Sequence, residues 1–424
     1  MKLILPIQSL GILLSLCVGL EAEELQKRVD SNWRKVVIDK AFRAEGVAAA
    51  DVNHDGKMDV LVGDLWYEAP DWKIHEIREP GEFVAGVGYS GSFAMWAHDV
   101  NGDGWDDLVH VGFPGAPCHW YENPQNKPGH WPEHMIWTSA CNETPLFTDL
   151  VGDDQPELIL GSQPEQKMGY LPIPSQEFAT RKWDFQAVST KGKPSENGTF
   201  KYYHGLGTGD MNGDGRADVM IAHGWWEQPA DTDAVETWTF HPMTCREKDG
   251  GKPVVQRVAN IFADDLDNDG DADLLMSSAH AYGVWWLENV TPQDSENQVA
   301  SEFRYHLIDK SYSQTHADAY VDLNGDGKKE LVTGKRFYAH NGKDPGGKDP
   351  VGMYWYEIQK PDGNGEPQFI RHEIEAGRGT GVGTQFTIAD VNDDQRPDIV
   401  LSNKKGVHLL IQTGSENDSA DSVN

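Results

Sequence analysis

Short apolar runs recur along the chain, each entered from an acidic, glycine-rich turn: residues 60–62, 108–111, 158–160, 219–221, 274–276, 331–332 and 399–401. Runs this short are strands buried on both faces, not helices. A strand of small residues precedes each turn, as at 46–50. An aromatic strand follows across a hairpin: Trp66-Tyr67-Glu68, Trp120-Tyr121-Glu122, Trp225-Trp226-Glu227, Trp285-Trp286-Leu287-Glu288 and Tyr354-Trp355-Tyr356-Glu357. A fourth strand closes the unit at 73–77, 134–137, 304–308 and 370–374. No stretch carries helical periodicity. Four short strands per unit, repeated about every 50 residues, predict an all-β, seven-bladed β-propeller. An orphan strand at 33–38 precedes the first unit, and the last unit stops after its third strand at 407–411. The N-terminal strand is therefore expected to complete the seventh blade and close the ring. One propeller domain spans 30–414, followed by a polar tail at 415–424 that is expected to be disordered.

The turns share one grammar. In the stretch from Asp99 to Asp107, oxygen-bearing side chains stand at positions one, three, five and nine: Asp99, Asn101, Asp103 and Asp107. Copies are Asp51-Asn53-Asp55-Asp59, Asp210-Asn212-Asp214-Asp218, Asp265-Asp267-Asp269-Asp273, Asp322-Asn324-Asp326-Glu330 and Asp390-Asn392-Asp394-Asp398, with a worn copy at Asp149-Asp153-Glu157. Their first residues lie 48 (99 − 51) to 68 (390 − 322) positions apart. Such spacing wraps a hard cation in oxygens, as the first part of an EF-hand loop does. An apolar strand follows, and in the loop at 99–107 no bidentate Glu stands at position twelve. These are expected to be calcium loops joining strands one and two of each blade, with ions that brace hairpins and take no part in chemistry.

Composition narrows the partners. A net charge of −32 disfavours nucleic acid and anionic membrane, which carry the same sign. Lys2, an apolar run at 4–20 and small residues at Gly19 and Ala22 form an export signal over residues 1–22. The run is short and lacks a stop-transfer flank, so no membrane span is expected and the location is secreted or periplasmic. Leu16 before Cys17 is too large for a lipoprotein box. Cys118 and Cys141 lie in neighbouring units and either form a disulfide or stay as buried thiols beside Cys245.

Function should lie where the units differ. The residue six before each loop is Glu45, Phe93, Glu143, His204, Ala259, His316 or Thr384, all at one height near the channel mouth. Asp318, two on from His316, points the same way. The hairpins of that face add His223, His280 and a long insertion at 334–351 carrying Lys335, Arg336, Tyr338 and His340. Long loops in compact folds are usually functional. By contrast, His75, His134, His306 and His372 recur at one place in the fourth strand and are expected to pack. Imidazoles meeting from three consecutive units are either a site for zinc or another divalent ion, with His223 and His280 among the ligands, or acid and base groups, or separate loop caps. The candidate catalytic set is His204, His316, His340, Lys335, Arg336, Glu143, Tyr338 and Asp318.

The acidic loops with their flanking strands resemble the FG-GAP/VCBS repeats of integrin-like propellers. More narrowly, Met95-Trp96-Ala97-His98-Asp99, Gln314-Thr315-His316-Ala317 and the stretch from Gly334 to Gly342 resemble the propeller half of aldos-2-ulose dehydratase/isomerase. That family removes water from keto-sugars such as 1,5-anhydrofructose. Its fungal members carry cupin domains after the propeller, which this sequence lacks, so the resemblance extends to dehydration and not to isomerisation. It implies a secreted carbohydrate lyase performing β-elimination on a keto-sugar or keto-glycoside. A metal on the histidines, or Lys335 with Arg336, would polarise the ketone. His340 or Glu143 would take the α-proton, and Asp318 or Tyr338 would protonate the departing hydroxyl. Two other functions stay open: a non-catalytic calcium-stiffened propeller that binds polysaccharide or a cell-surface partner, and a polysaccharide lyase or hydrolase using Lys335, Arg336 and Arg378 on a charged glycan.

Overall fold

The computed structural model describes residues 25–247, 257–292, 300–363 and 365–414. The export signal and the polar tail lie outside the described residues. The chain is all-β and propeller-like, with four short 3-10 turns as its helical content among the described residues. Four units form separate four-stranded antiparallel sheets: residues 48–76, 94–137, 146–187, and 387–412 joined by Trp33–Asp39. The sixth unit is five-stranded, because Gln26–Asp30 pairs in parallel with Gln368–Ile374. The N-terminal pairing is the expected one, Trp33–Asp39 lying antiparallel to Gly406–Gln412. Regular structure starts earlier than residue 30, at Gln26.

Seven separate blades are not what the pairing gives. Five sheets stand alone, while the fourth and fifth units share one eight-stranded closed sheet. Two parallel joints make it: Leu206–Gly209 against Val258–Asp264, and Thr239–Glu247 against Ser301–Ser313. Gly207 is the physical reason for the first joint. A Cβ there would stand 2.1 Å from the Ile261 carbonyl oxygen, so only a bare backbone lets the inner strands close to pairing distance.

Each acidic turn is folded by its own carboxylates. Asp99 accepts the N–H groups of Asp103 at 3.0 Å and Gly104 at 2.8 Å, and the same pattern holds from Asp51, Asp210, Asp265 and Asp322. The ninth-position carboxylates do a job that the loop pattern does not spell out. Asp107 is buried and accepts Val100 N–H at 3.1 Å and Asn123 N–H at 2.7 Å, tying the turn to the end of the third strand. Asp218, Asp273 and Asp398 make the same two bonds. Where position three is also an acid, in Asp265, Asp267 and Asp269, three carboxylate oxygens lie within 4.8 Å of one another.

The fourth-strand histidines pack as expected. His75, His134, His306 and His372 lie flat on Trp66, Trp120, Trp286 and Trp355, with ring centroids 3.7–4.6 Å apart. Each also meets the Glu two residues after its Trp, at 2.6–3.3 Å. His241 on Trp225 and Glu227 is a fifth member. Cys118, Cys141 and Cys245 are free and buried, and burial pushes the Cys118 and Cys141 thiols up to about 12. The inner strands surround a channel of about 260 Å³ lined by Trp96, Thr144, Thr208, Asn260, Asp318 and Gln385 among others.

Gly207→Ala is expected to destabilise the chain by about 1–3 kcal/mol or more, because the added methyl meets backbone and not a yielding side chain. Gly88→Ala, with nothing within 4 Å of the new Cβ, is the control and should leave the thermal midpoint in place.

Candidate metal centre

The site lies at the end of the inner strands opposite the acidic turns. His204 precedes the strand Leu206–Gly209 and Asp210 follows it, so the two ends are about 20 Å apart at strand rise. The six-before rule holds for most of the ring. Glu143, His204 and His316 come together, and His280 joins from the hairpin after Asp273–Ser278. All four are buried.

Three imidazole nitrogens lie within 4.8 Å of one another, and a carboxylate stands beside two of them. His204 Nε2 stands 3.0 Å from His316 Nε2 and 3.0 Å from His280 Nε2. Glu143 Oε2 lies 3.0 Å from His316 Nε2 and 3.5 Å from His204 Nε2. His280 turns Nδ1 to Asp344 Oδ2 at 2.9 Å, so its proton sits on Nδ1 and Nε2 offers a lone pair. Burial, then the charge of Arg336, hold His316 well below its usual pKa. Burial and His204 push His280 down to about 4. Burial would raise Glu143, but His204 and His316 outweigh it and hold the carboxyl well below its usual range. His280 and His316 are therefore held as neutral imidazoles beside an ionised carboxylate, and nitrogens 3.0 Å apart repel unless a proton or cation lies between them.

Buried charge supports this floor. Arg336 reaches Glu45 Oε1 at 3.2 Å and Glu143 Oε2 at 3.8 Å. Lys404 stands 3.7 Å from Glu45 Oε1 and 3.9 Å from the Tyr89 ring centre. Burial, then Arg336, bring Lys404 down to about 8, although Glu45 opposes this. Above the floor opens a cleft of about 750 Å³ lined by Tyr89, Phe113, Tyr202, His223 and His340 with Glu143, His204 and His280, while His316 lies buried beneath it. His340 stacks on His280 at 4.6 Å and shares Asp344 through Nδ1 at 3.0 Å. Its N–H donates to Tyr89 Oη at 3.2 Å.

Several sequence-predicted residues stand elsewhere. Lys335 is fully buried behind the site, with Nζ on Gln314 Oε1 at 2.9 Å, and burial lowers its pKa. His223 borders the cleft but bonds Glu196 O at 2.6 Å, apart from the three-histidine cluster. Tyr338 packs its ring near Gly86 and Gly342 and lies outside the cleft lining. Asp318 faces the central channel, accepts Ser277 Oγ at 2.6 Å, and is pushed up to about 7 by burial. Asp318 points into the channel, as alternation from His316 predicts, and neither it nor Tyr338 lines the cleft. Sequence reasoning missed Asp344, Tyr89 and Lys404. Asp344 was within reach, four residues after His340 in the flagged insertion. Tyr89 sits in an irregular connection with no repeat to mark it.

No family model and no curated protein matches the chain. Solved structures with similarity include an Agrocybe aegerita lectin recognising non-reducing terminal N-acetylglucosamine: 14% identity, 81% of this chain and 86% of that one, TM-score 0.44. The rhamnogalacturonan lyases YesX and YesW each show 10% identity, over 91% and 90% of this chain and 76% of theirs, with TM-scores of 0.46 and 0.43. Among the described residues no helix is long and apolar enough to cross a membrane.

Arg336→Leu is expected to cost about 3–5 kcal/mol, since it strands Glu45 in a dry floor. Urea unfolding in the presence of a chelator measures it, and an unchanged midpoint would show the pair to be dispensable.

Proposed function

We propose that this chain is a divalent-metal-dependent carbohydrate lyase that performs β-elimination on a keto-sugar or keto-glycoside in the aromatic cleft. The observation that carries the proposal is the convergence of three imidazole nitrogens on the cleft floor, with the Glu143 carboxylate beside two of them. Zinc–nitrogen bonds of about 2.0–2.1 Å in tetrahedral geometry set ligand atoms about 3.3 Å apart, and His204 Nε2 stands 3.0 Å from both His316 Nε2 and His280 Nε2. His204, His280 and His316 would hold the ion, with Glu143 at the fourth position or beside it. The ion supplies Lewis acidity that polarises the ketone and acidifies the α-carbon.

The chain's own groups do the proton work. His340 gives Nδ1–H to Asp344, so Nε2 is free in the cleft to take the α-proton. Tyr89 receives the His340 main-chain N–H and keeps its own hydroxyl proton for the departing oxygen. The bond to the β-oxygen breaks, a carbon–carbon double bond forms, and the leaving group departs as water or alcohol. Tyr89 takes the place that the sequence assigned to Asp318 or Tyr338.

The finer features of the fold belong with this proposal. The acidic turns hold calcium, chiefly as hairpin braces, and the chain is exported. These features support kinship with the FG-GAP/VCBS propellers and the propeller half of aldos-2-ulose dehydratase/isomerase.

Metal analysis and cobalt substitution test the centre. The chain should take up one Co²⁺ with visible absorption beyond any calcium, and His316→Ala should abolish it. Asp344→Asn should weaken metal affinity by about 10–100-fold, because it releases the His280 tautomer. Metal-loaded chain with 1,5-anhydrofructose or 3-keto-glucosides should generate ultraviolet enone absorbance. Metal uptake with no product from any keto-sugar would leave a sugar-binding propeller in place of an enzyme.

A further inference from the structure

The metal cluster occupies only the floor of the cleft, and a single pyranose ring fills a fraction of its roughly 750 Å³. The remaining wall is aromatic and continuous. Tyr89, Phe93, Phe113 and Tyr202 follow one another at centroid distances of 5.9, 5.3 and 5.7 Å. Phe200 and Tyr202 at the rim are 54% and 40% exposed. These rings are held in water by a braced loop. Phe200 and Tyr203 N–H bond Pro194 O and Phe200 O at 2.9 and 2.8 Å, and Tyr202 N–H bonds Cys141 O at 3.0 Å. Asn197 Nδ2 ties the loop to Gln166 O at 2.7 Å. Tyr202 also sits at φ +71°, a left-handed conformation that a bulky residue adopts only under constraint. The same loop ends at His204, so the rim rings are placed directly by the segment that supplies a ligand.

We propose that this wall is a subsite for the second ring of a neutral two-ring keto-glycoside, whose glycosidic oxygen is the leaving group. The inference rests on the lyase function proposed above. Equatorially substituted pyranoses present flat C–H faces, which stack on aromatic rings without charge. Lys201 stands beside Phe113 and Tyr202 at 5.5 and 5.1 Å and enriches the edge of the wall with a hydrogen-bond donor for ring hydroxyls. In the reaction the α-carbon loses its proton and that electron pair forms the double bond. The carbon–oxygen bond to the second ring breaks, and the released oxygen takes a proton. Products are an unsaturated keto-sugar and the second ring as a free alcohol. No oxidant or reductant is consumed.

The test compares 3-ketocellobiose with methyl 3-keto-β-glucoside, which share carbonyl and leaving-group chemistry and differ in the second ring. Expected is glucose release from the first, with kcat/KM at least tenfold higher than for the methyl glycoside. Phe200→Ser, at the exposed rim, should erase that advantage through KM and leave the methyl glycoside untouched, and Tyr202→Asn, chosen because Asn tolerates φ > 0, should lower 3-ketocellobiose turnover by the larger factor. Equal efficiencies, or variants that slow both substrates alike, would overturn the subsite. Turnover of neither substrate would sink the lyase function instead. The subsite then stands or falls on calorimetric binding of cellobiose, expected to weaken at least fivefold in the two variants, and unchanged or undetectable binding would overturn it.

Discussion

One buried guanidinium holds the site together. Glu45 and Glu143 come from the first and third units and face a floor with almost no water access. Two carboxylates in such a place would take up protons without a compensating cation. Arg336, from the sixth unit, meets both. Its own N–H is fixed to Gln314 O at 2.8 Å, two residues ahead of His316, so the cation and a ligand belong to one rigid piece. Burial, then Arg336, hold His316 well below its usual pKa, while His204 and His316 hold Glu143 well below the usual carboxyl range. That is the protonation pattern a divalent ion requires, because ligands must be deprotonated before they bind.

The insertion that carries Arg336 is also where the backbone is strained. Tyr338, His340 and Asn341 all have positive φ, at 58°, 45° and 57°. Non-glycine residues in that region cost of order 1–3 kcal/mol each, and they persist where surroundings over-determine them. Here the surroundings are Asp344 on the His340 ring, Tyr89 under its N–H, and Lys404 Nζ at 3.5 Å from Tyr338 O. Backbone strain, buried charge and cleft coincide in this segment.

The fold was legible because it repeats. Acidic turns, apolar second strands and Trp-x-Glu third strands fixed the units, and the orphan strand at 33–38 pointed to its partner at 407–411. Fusion of the fourth and fifth units was hidden, since it depends on a backbone approach at Gly207 that leaves no periodic signature. The ring argument found Glu45, Glu143, His204 and His316 because strand alternation and equal spacing carry geometry directly. It could not reach Tyr89 or Asp344, whose positions come from irregular connections. It also set Asp318 toward the channel, where it stands, away from the cleft lining.

Trp33–Asp39 pairs with Gly406–Gln412, so Trp33 and Gln412 meet across 379 positions (412 − 33). A contact so distant in sequence forms last, since its loop-closure entropy is paid before it returns anything. Until then the strand from Trp33 is an open edge with unpaired main-chain groups. A nascent or nicked chain that lacks residues 406–412 would offer that edge to a neighbour's strand. The ring is thus latched twice by its N-terminal segment, once at Gln26–Asp30 and once at Trp33–Asp39.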